Sequence, residues 1–327
     1  MAQKTVLEAI RDGMAEELER DDRVVVLGED VGKLGGVFRV TDGLLSRFGE
    51  ERVIDTPLAE NSIVGIAIGM ALNGLHPIAE IQFADYIYPA YDQIVNEAAK
   101  IRYRSAGAYG CPLVVRTPYG AGIHGGLYHS QSVEVQFAHI PGLKVVAPSN
   151  PYDAKGLIKS SIQDEDPVIY LEHKKTYRLI KGEVPEEEYV VPLGSAKVVR
   201  EGSDITVLTY GLMVHYALEA ATELEKESVS VEVVDLRTLL PLDKKAVLES
   251  VRKTSKALIV YEDNLTLGYG AELAAILASE AFEDLDGPIM RVAAPDVPSM
   301  PFHPVMEDYC LPSSTEIAEA LRKLAVY

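Results

Sequence analysis

Ile205-Thr-Val-Leu-Thr209, Val214-His-Tyr-Ala-Leu-Glu-Ala-Ala-Thr-Glu-Leu224 and Val229-Ser-Val-Glu-Val-Val-Asp-Leu236 decide the fold. They read as strand, helix and strand, the unit that gives parallel strands. The alternation continues through a helix at Lys244–Val251, a strand at Ala257–Tyr261, a helix at Ala271–Phe282, a strand at Ile289–Val292 and a helix at Thr315–Leu324. Earlier in the chain, Val6–Leu18 has helical spacing, and Val24–Leu27 is a short apolar run ending in Gly28-Glu-Asp30 that reads as a buried strand. Pro77–Phe83, Pro112–Arg116, Leu143–Ala147 and Pro167–Leu171 read as strands, and Tyr88–Tyr103 as a helix. Pro151–Ile162 is a helix with proline at its start and Asp153 in its first turn. Lys181-Gly-Glu-Val-Pro-Glu-Glu-Glu188 is charged and carries a proline, so it reads as a linker. The expectation is an α/β protein of two mostly parallel-sheet domains, residues 1–180 and 204–327, joined by residues 181–203.

The chain has 327 residues, enough for two cores. Its formal net charge is −19, which argues against a nucleic-acid partner because phosphates demand Lys and Arg. Cys111 and Cys310 have no metal-ligand spacing and are too few for a disulfide framework, so a reducing, cytoplasmic setting is expected. Met1-Ala-Gln-Lys-Thr5 lacks the apolar stretch of a signal peptide. The most apolar run, Ile63–Leu75, falls short of the about 20 residues a membrane helix needs.

Three segments carry chemistry. In Asp55-Thr-Pro-Leu-Ala-Glu60, Thr56 and Pro57 are suited to starting a helix, with Glu60 near its first turn. A carboxylate beside the small, apolar helix Ile63–Met70 is partly desolvated, which favours proton donation; equally, Glu60 could only complement the helix dipole. Gly120-Ala-Gly-Ile-His-Gly125 matches GxGxxG, but Gly126-Leu-Tyr-His-Ser-Gln131 beyond it is no apolar helix and no acidic residue ends the next strand, so dinucleotide binding is disfavoured. The segment reads better as a loop carrying His124 and His129, either over a pocket or as ordinary surface. Gln82-Phe-Ala-Asp-Tyr86 puts aromatics at a strand end, where they can stack on a heterocycle or simply fill the core. The sequence contains no P-loop, Gly-Asp-Gly or HExxH motif, so a diphosphate and its metal have no evident holder.

With these residues in hand, a resemblance is plain. Gly28-Glu-Asp-Val-Gly32, Asp55–Glu60, Gln82-Phe-Ala-Asp-Tyr-Ile87, Asn96-Glu-Ala-Ala-Lys100, His124–Gln131 and Val234-Asp-Leu-Arg237 closely resemble the β subunits of the thiamine-diphosphate-dependent first component of 2-oxo acid dehydrogenase complexes. Gln82–Tyr86 and Leu127–Gln131 look most like the branched-chain members. The resemblance implies a transketolase-like pyrimidine-binding domain followed by a transketolase C-terminal domain. It implies an α2β2 heterotetramer with the cofactor at the α/β interface, diphosphate and Mg²⁺ being held by the α subunit. Glu60 matches the glutamate that bonds the aminopyrimidine ring and promotes its activation. Tyr86 matches the aromatic beside that ring, and Leu58 and Gln82 match cofactor neighbours. His129 matches the histidine that assists acyl transfer to the lipoyl arm of the dihydrolipoyl acyltransferase core, with His124 in the same run. Some members hold a structural K⁺; the matching positions are Cys111, Leu113, Val114, Ser161, Asp164 and Asp166, of which Ser161 and Asp166 depart from the branched-chain pattern.

The expected function is oxidative decarboxylation of a branched-chain 2-oxo acid together with an α subunit, and acylation of lipoyl groups. The rivals are the pyruvate or acetoin member of the same family, and a subunit that mainly docks the acyltransferase core.

Overall fold

The computed structural model describes residues 1–327, which divide into two compact units. Along the chain the elements are β1 (Ala2–Thr5), α1 (Val6–Arg20), β2 (Val24–Gly28), α2 (Leu44–Phe48), β3 (Val53–Asp55), α3 (Glu60–Leu72), β4 (His76–Glu80), α4 (Ile101–Arg104) and β5 (Val114–Tyr119). Next come α5 (Glu134–Ala138), β6 (Lys144–Val146), α6 (Pro151–Ile162), β7 (Val168–His173), α7 (Thr176–Leu179) and β8 (Lys181–Val184). The remainder comprises β9 (Lys197–Arg200), β10 (Ile205–Thr209), α8 (Met213–Glu225), β11 (Val231–Asp235), β12 (Thr238–Leu240), α9 (Lys244–Thr254), β13 (Ala257–Asn264), α10 (Tyr269–Glu280), β14 (Met290–Ala294), α11 (Pro304–Cys310) and α12 (Ser314–Ala325).

The first unit holds residues 1–119 and 136–193. Its strands lie in the order β6-β7-β5-β4-β2-β3, every neighbouring pair parallel. The core strands β2, β5 and β7 are buried along their whole length, as expected of a parallel sheet covered on both faces. Helix α1 opens with a capping box between Thr5 and Glu8 and buries Val6, Ile10, Met14 and Leu18. Helix α6 is capped by Asn150, whose side chain accepts from Asp153 N–H. Two sequence expectations change here. The helix after Asp55 does not begin at Thr56: it begins at Glu60, with Ala59 at the cap position. Asp55 and Thr56 are held back in the sheet, because the Asp55 carboxylate accepts from Gly32 N–H at 2.5 Å and Thr56 N–H donates to Gly28 O. The expected helix Tyr88–Tyr103 is broken into short turns around a π-helical stretch at Gln93–Glu97, with regular α-helix only at Ile101–Arg104.

The second unit holds residues 120–135 and 194–327. Its strand order is β14-β13-β10-β11-β9, parallel except for the antiparallel edge strand β9. Ile205, Val207, Val231, Val233, Leu258 and Val260 form the core with Ala217, Leu224, Ile317, Leu321 and Leu324 of the covering helices α8 and α12. The expected linker 181–203 is structured at both ends, because β8 pairs with β1 and β9 with β11. The glycine-rich run after Tyr119, expected from sequence in the first domain, clusters with the second unit.

Candidate active site

In the first unit the chemistry-bearing residues collect at the C-terminal ends of parallel strands, where open α/β sheets bind ligands. Strand β2 ends in Gly28 and delivers Glu29; β3 ends in Asp55; α3 opens with Glu60; β4 ends in Glu80, and Gln82 and Tyr86 come within six residues of it. Asp55 fastens the loop after β2 through Gly32 N–H and Lys33 N–H, and Gln82 Nε2 donates to Glu29 O at 3.4 Å. The half-buried Glu60 lies in the shared field of Glu29 and Tyr86. Burial raises the Glu29 carboxyl, and Asp30 and Glu60 add to the shift. Burial likewise raises the Tyr86 phenol, with Asp85, Glu60 and Glu29 adding to it. Tyr86 meets Phe83 edge to face at 5.5 Å, Phe83 meets Phe38 at 5.3 Å, and Phe38 meets Tyr177 at 5.3 Å. Leu58 stands out from this mouth, 70% exposed. The mouth therefore offers carboxyls, an aromatic ring and an apolar side chain. That donor set suits a flat nitrogen heterocycle. Glu29, Asp30, Glu60 and Asp85 would repel a diphosphate.

Beneath this mouth runs a buried ion network that the sequence did not announce. Arg116 of β5 donates to Glu172 of β7 through Nε and Nη2, both at 2.7 Å, and to Glu80 of β4 through Nη1. Tyr177 O–H donates to Glu172 as well. Ile81 N–H donates to Arg116 O, so the network is joined to the chain leading to Gln82.

The histidine run lies in the second unit. Gly120 N–H closes the loop by donating to Gln131 O at 3.0 Å. His124 has φ +57°, and Gly125 gives His129 room, since a Cβ there would lie 2.7 Å from His129 Cβ. Gly126 has φ +68° and packs under Phe302, whose ring a Cβ would meet at 2.3 Å. His124 Nδ1 lies 2.5 Å from Glu307 Oε2. Glu60, Gln82 and Tyr86 thus share one unit, while His124 and His129 share the other. Neither Glu307 nor Phe302 was singled out by sequence. The one local signal available was Pro304, a first-turn proline of α11.

The six cation candidates fall in the first unit. Cys111 N–H donates to Glu165 O, and burial pushes its thiol up to about 12. Leu113 O accepts from Val168 N–H, and Val114 is paired with Val168 in the sheet. Ser161 Oγ donates to Leu157 O at 2.8 Å. Asp164 Oδ2 receives Lys144 Nζ at 2.5 Å, and Asp166 Oδ1 receives Arg102 Nε at 2.6 Å. Both carboxylates are thus matched by cations of the chain itself. No helix is long and apolar enough to cross a membrane.

Comparison with known proteins now identifies the family. Residues 2–180 match the transketolase pyrimidine binding domain, and residues 194–317 match the transketolase C-terminal domain. The chain is 58% identical to the 2-oxoisovalerate dehydrogenase subunit beta of Bacillus subtilis, over 100% of both chains. The chain belongs to the 2-oxo acid dehydrogenase β-subunit family. It is also 49% identical to the pyruvate dehydrogenase E1 component subunit beta of B. subtilis, over 99% of both chains. Among solved structures, a split gene transketolase described as an inactive beta4 tetramer matches with TM-score 0.79 and 25% identity, covering 99% of this chain and 98% of that one. The two α/β domains expected from the strand–helix alternation are those of this transketolase-like family. Membership makes the chain one subunit of an oxidoreductase that depends on thiamine diphosphate and works with an α partner.

Proposed function

We propose that this β subunit handles the pyrimidine end of thiamine diphosphate in a branched-chain 2-oxo acid dehydrogenase, and serves acyl transfer to lipoyl groups through His129. The observation that carries this reading is Glu60, half-buried at the start of α3 and electrostatically joined to Glu29 and Tyr86 at the strand ends. When bound, the cofactor supplies the electron sink for decarboxylation. The residues of this chain do the rest. Glu60 would hold the heterocycle through a carboxyl oxygen and pass a proton to or from it. Tyr86 would lie against the ring and Leu58 would cover it from water, with Gln82 fixing the loop that carries Glu29. His129 would hold a proton for the lipoyl thiol.

The diphosphate and Mg²⁺ fall to the α subunit in this reading, since the mouth built by this chain is acidic and no group of three His, Cys, Asp or Glu residues is placed to hold a metal ion. The exposed face of α3 supports an α2β2 partner at this point. It carries Ile66, 53% exposed, Leu72, and Gly69, whose missing Cβ faces nothing within 4 Å. We propose further that K⁺ is not used at the candidate cation position, its charge being supplied by Lys144 and Arg102. The higher identity to the 2-oxoisovalerate enzyme than to the pyruvate enzyme supports the branched-chain substrate, and a cytoplasmic location goes with that reading.

The test is turnover of the purified α/β enzyme on 3-methyl-2-oxobutanoate and on pyruvate. The branched acid is expected to react faster; faster turnover of pyruvate overturns the substrate assignment. Glu60→Ala is expected to assemble normally and lose about 10²–10⁴-fold in rate, the span typical of a positioned acid or base. Wild-type rates in that variant, or robust turnover by this chain alone, overturn the reading. His129→Ala separates it from a mainly docking role, which predicts normal acylation with normal docking.

A further inference from the structure

The loop Gly120–Ser132 carries both histidines, yet the groups that shape it lie elsewhere in the chain. Glu307, on α11, is fully buried. It accepts from Gly122 N–H at 2.9 Å through Oε1, and from His124 N–H at 3.3 Å through Oε1 and 3.1 Å through Oε2. Its Oε2 also receives the His124 ring at Nδ1. Glu262, at the end region of β13 and 4% exposed, accepts from Ala121 N–H at 2.6 Å. Three amides in a row of four residues thus end on two buried carboxylates. Hydrogen bonds to a charged acceptor are about twice as strong as neutral ones. They hold His124 in a left-handed conformation that a non-glycine residue rarely adopts. Phe302 closes over Gly126 from the same side of the sequence as Glu307. With Nδ1 donating to a carboxylate, a neutral His124 ring carries its lone pair on Nε2.

We propose that Glu307, seconded by Glu262, is a positioning residue for the histidine loop, setting the backbone on which His129 acts and the ring orientation of His124. This rests on the acyl-transfer role proposed for the loop. Glu307 acts on the loop through its hydrogen bonds to Gly122 and His124. Its removal therefore affects the step that the loop serves and spares the step served by Glu60, which stands on the other unit.

The experiment uses the assembled α/β enzyme with Glu307→Gln, a near-isosteric change that replaces an acceptor oxygen with an amide donor facing N–H groups. Two rates are measured: decarboxylation of 3-methyl-2-oxobutanoate with ferricyanide as oxidant, and acylation of a free lipoyl domain. Acylation is expected to fall about 10- to 100-fold, the loss a misplaced group of this kind produces, with decarboxylation within about 2-fold of wild type. Glu307→Asp is expected to recover part of the rate. An equal fall in both rates, or no fall in acylation, overturns the proposal. Hydrogen exchange over residues 119–133 gives a reading that does not depend on activity. The Ala121, Gly122 and His124 amides are expected to be protected in the wild type and to exchange faster in Glu307→Gln and Glu262→Gln; unprotected amides in the wild type overturn it. An enzyme that acylates no lipoyl domain even as wild type refutes the functional reading of the loop, while the exchange data still decide whether Glu307 shapes it.

Discussion

Replacing Arg116 with methionine should remove the tie that joins three strands under the proposed cofactor mouth. Arg116 is fully buried, with two 2.7 Å bonds to Glu172 and a third contact to Glu80; Glu172 is fully buried and Glu80 is 3% exposed. The methionine fills similar space, so the cost comes from the two carboxylates left behind rather than from a cavity. Breaking a buried pair by removing one partner costs about 3–5 kcal/mol. Two acids lose their cation here, but Tyr177 still donates to Glu172, and Glu80 can take up a proton. Burial already raises Glu80, with Arg116 opposing that shift, so protonation is its natural escape. The upper end of that range, about 4–5 kcal/mol, is therefore expected. At about 2–4 °C per kcal/mol for a unit of this size, Tm should drop by about 8–20 °C. The deficit should grow with pH. An acid whose folded pKa is raised stabilises the fold while protonated, and that stability is lost as pH climbs from the ordinary carboxylate range through the folded value. Calorimetry of the assembled enzyme at about pH 5.5 and about pH 8 measures both effects, since both lie above the usual carboxylate range of about 4. The triple variant Arg116→Met/Glu80→Leu/Glu172→Leu should recover most of the loss, since an apolar replacement for a whole buried network is often neutral. A single variant within about 2 °C of wild type, or a triple variant less stable than the single, refutes the reasoning.

The remaining predictions concern charge. Wild-type Tm should be the same in K⁺ as in choline at equal ionic strength, while Lys144→Met, which leaves Asp164 without its cation, should become K⁺-stabilised; a wild-type gain of more than about 3 °C in K⁺ restores the metal. In the second unit, burial with Asp263 and Glu262 nearby pushes Glu134 up to about 8, with the Tyr210 hydroxyl opposing, and burial with Glu262 nearby pushes Asp263 up to about 6. Both shifts are upward, so the folded state holds protons that the unfolded state releases, and stability falls as pH rises from the ordinary carboxylate range to about 8. Glu134→Gln should flatten that fall; Tm curves that run parallel in the two proteins would discard the assignment.

Much of this architecture is local and so reads directly from sequence. β10 and α6 have the limits that periodicity and the first-turn proline set, because each element buries an unbroken apolar face or run. Where the structure departs from that reading, a distant group has overridden a local signal. Thr56 and Pro57 have the chemistry of a helix start, but the Asp55 carboxylate is engaged by Gly32 and the helix waits until Glu60. Glu307 reaches the histidine loop across a separation of 185 residues, which leaves no period, spacing or motif to find. The network around Arg116 was not legible. A cation closing the apolar run Pro112–Val115 demands buried acids, yet nothing in the run says which acids answer it.

The same contrast bears on how the proposed roles are shared out within the chain. Glu60 takes its surroundings from strand ends of the first unit, over a network centred on Arg116. The histidine loop takes its shape from carboxylates of the second unit. Each group of proposed site residues is thus supported by buried charges of its own unit, with no supporting side chain in common among those named. Independent supports predict additive losses: sites with no shared partners combine within about 0.5 kcal/mol. Arg116→Met should therefore act on cofactor affinity and Glu307→Gln on acylation, and the double variant should show the product of the two defects in the coupled reaction. A double variant no worse than the poorer single one would mean that the two supports act as one, and this division of labour would fall with it.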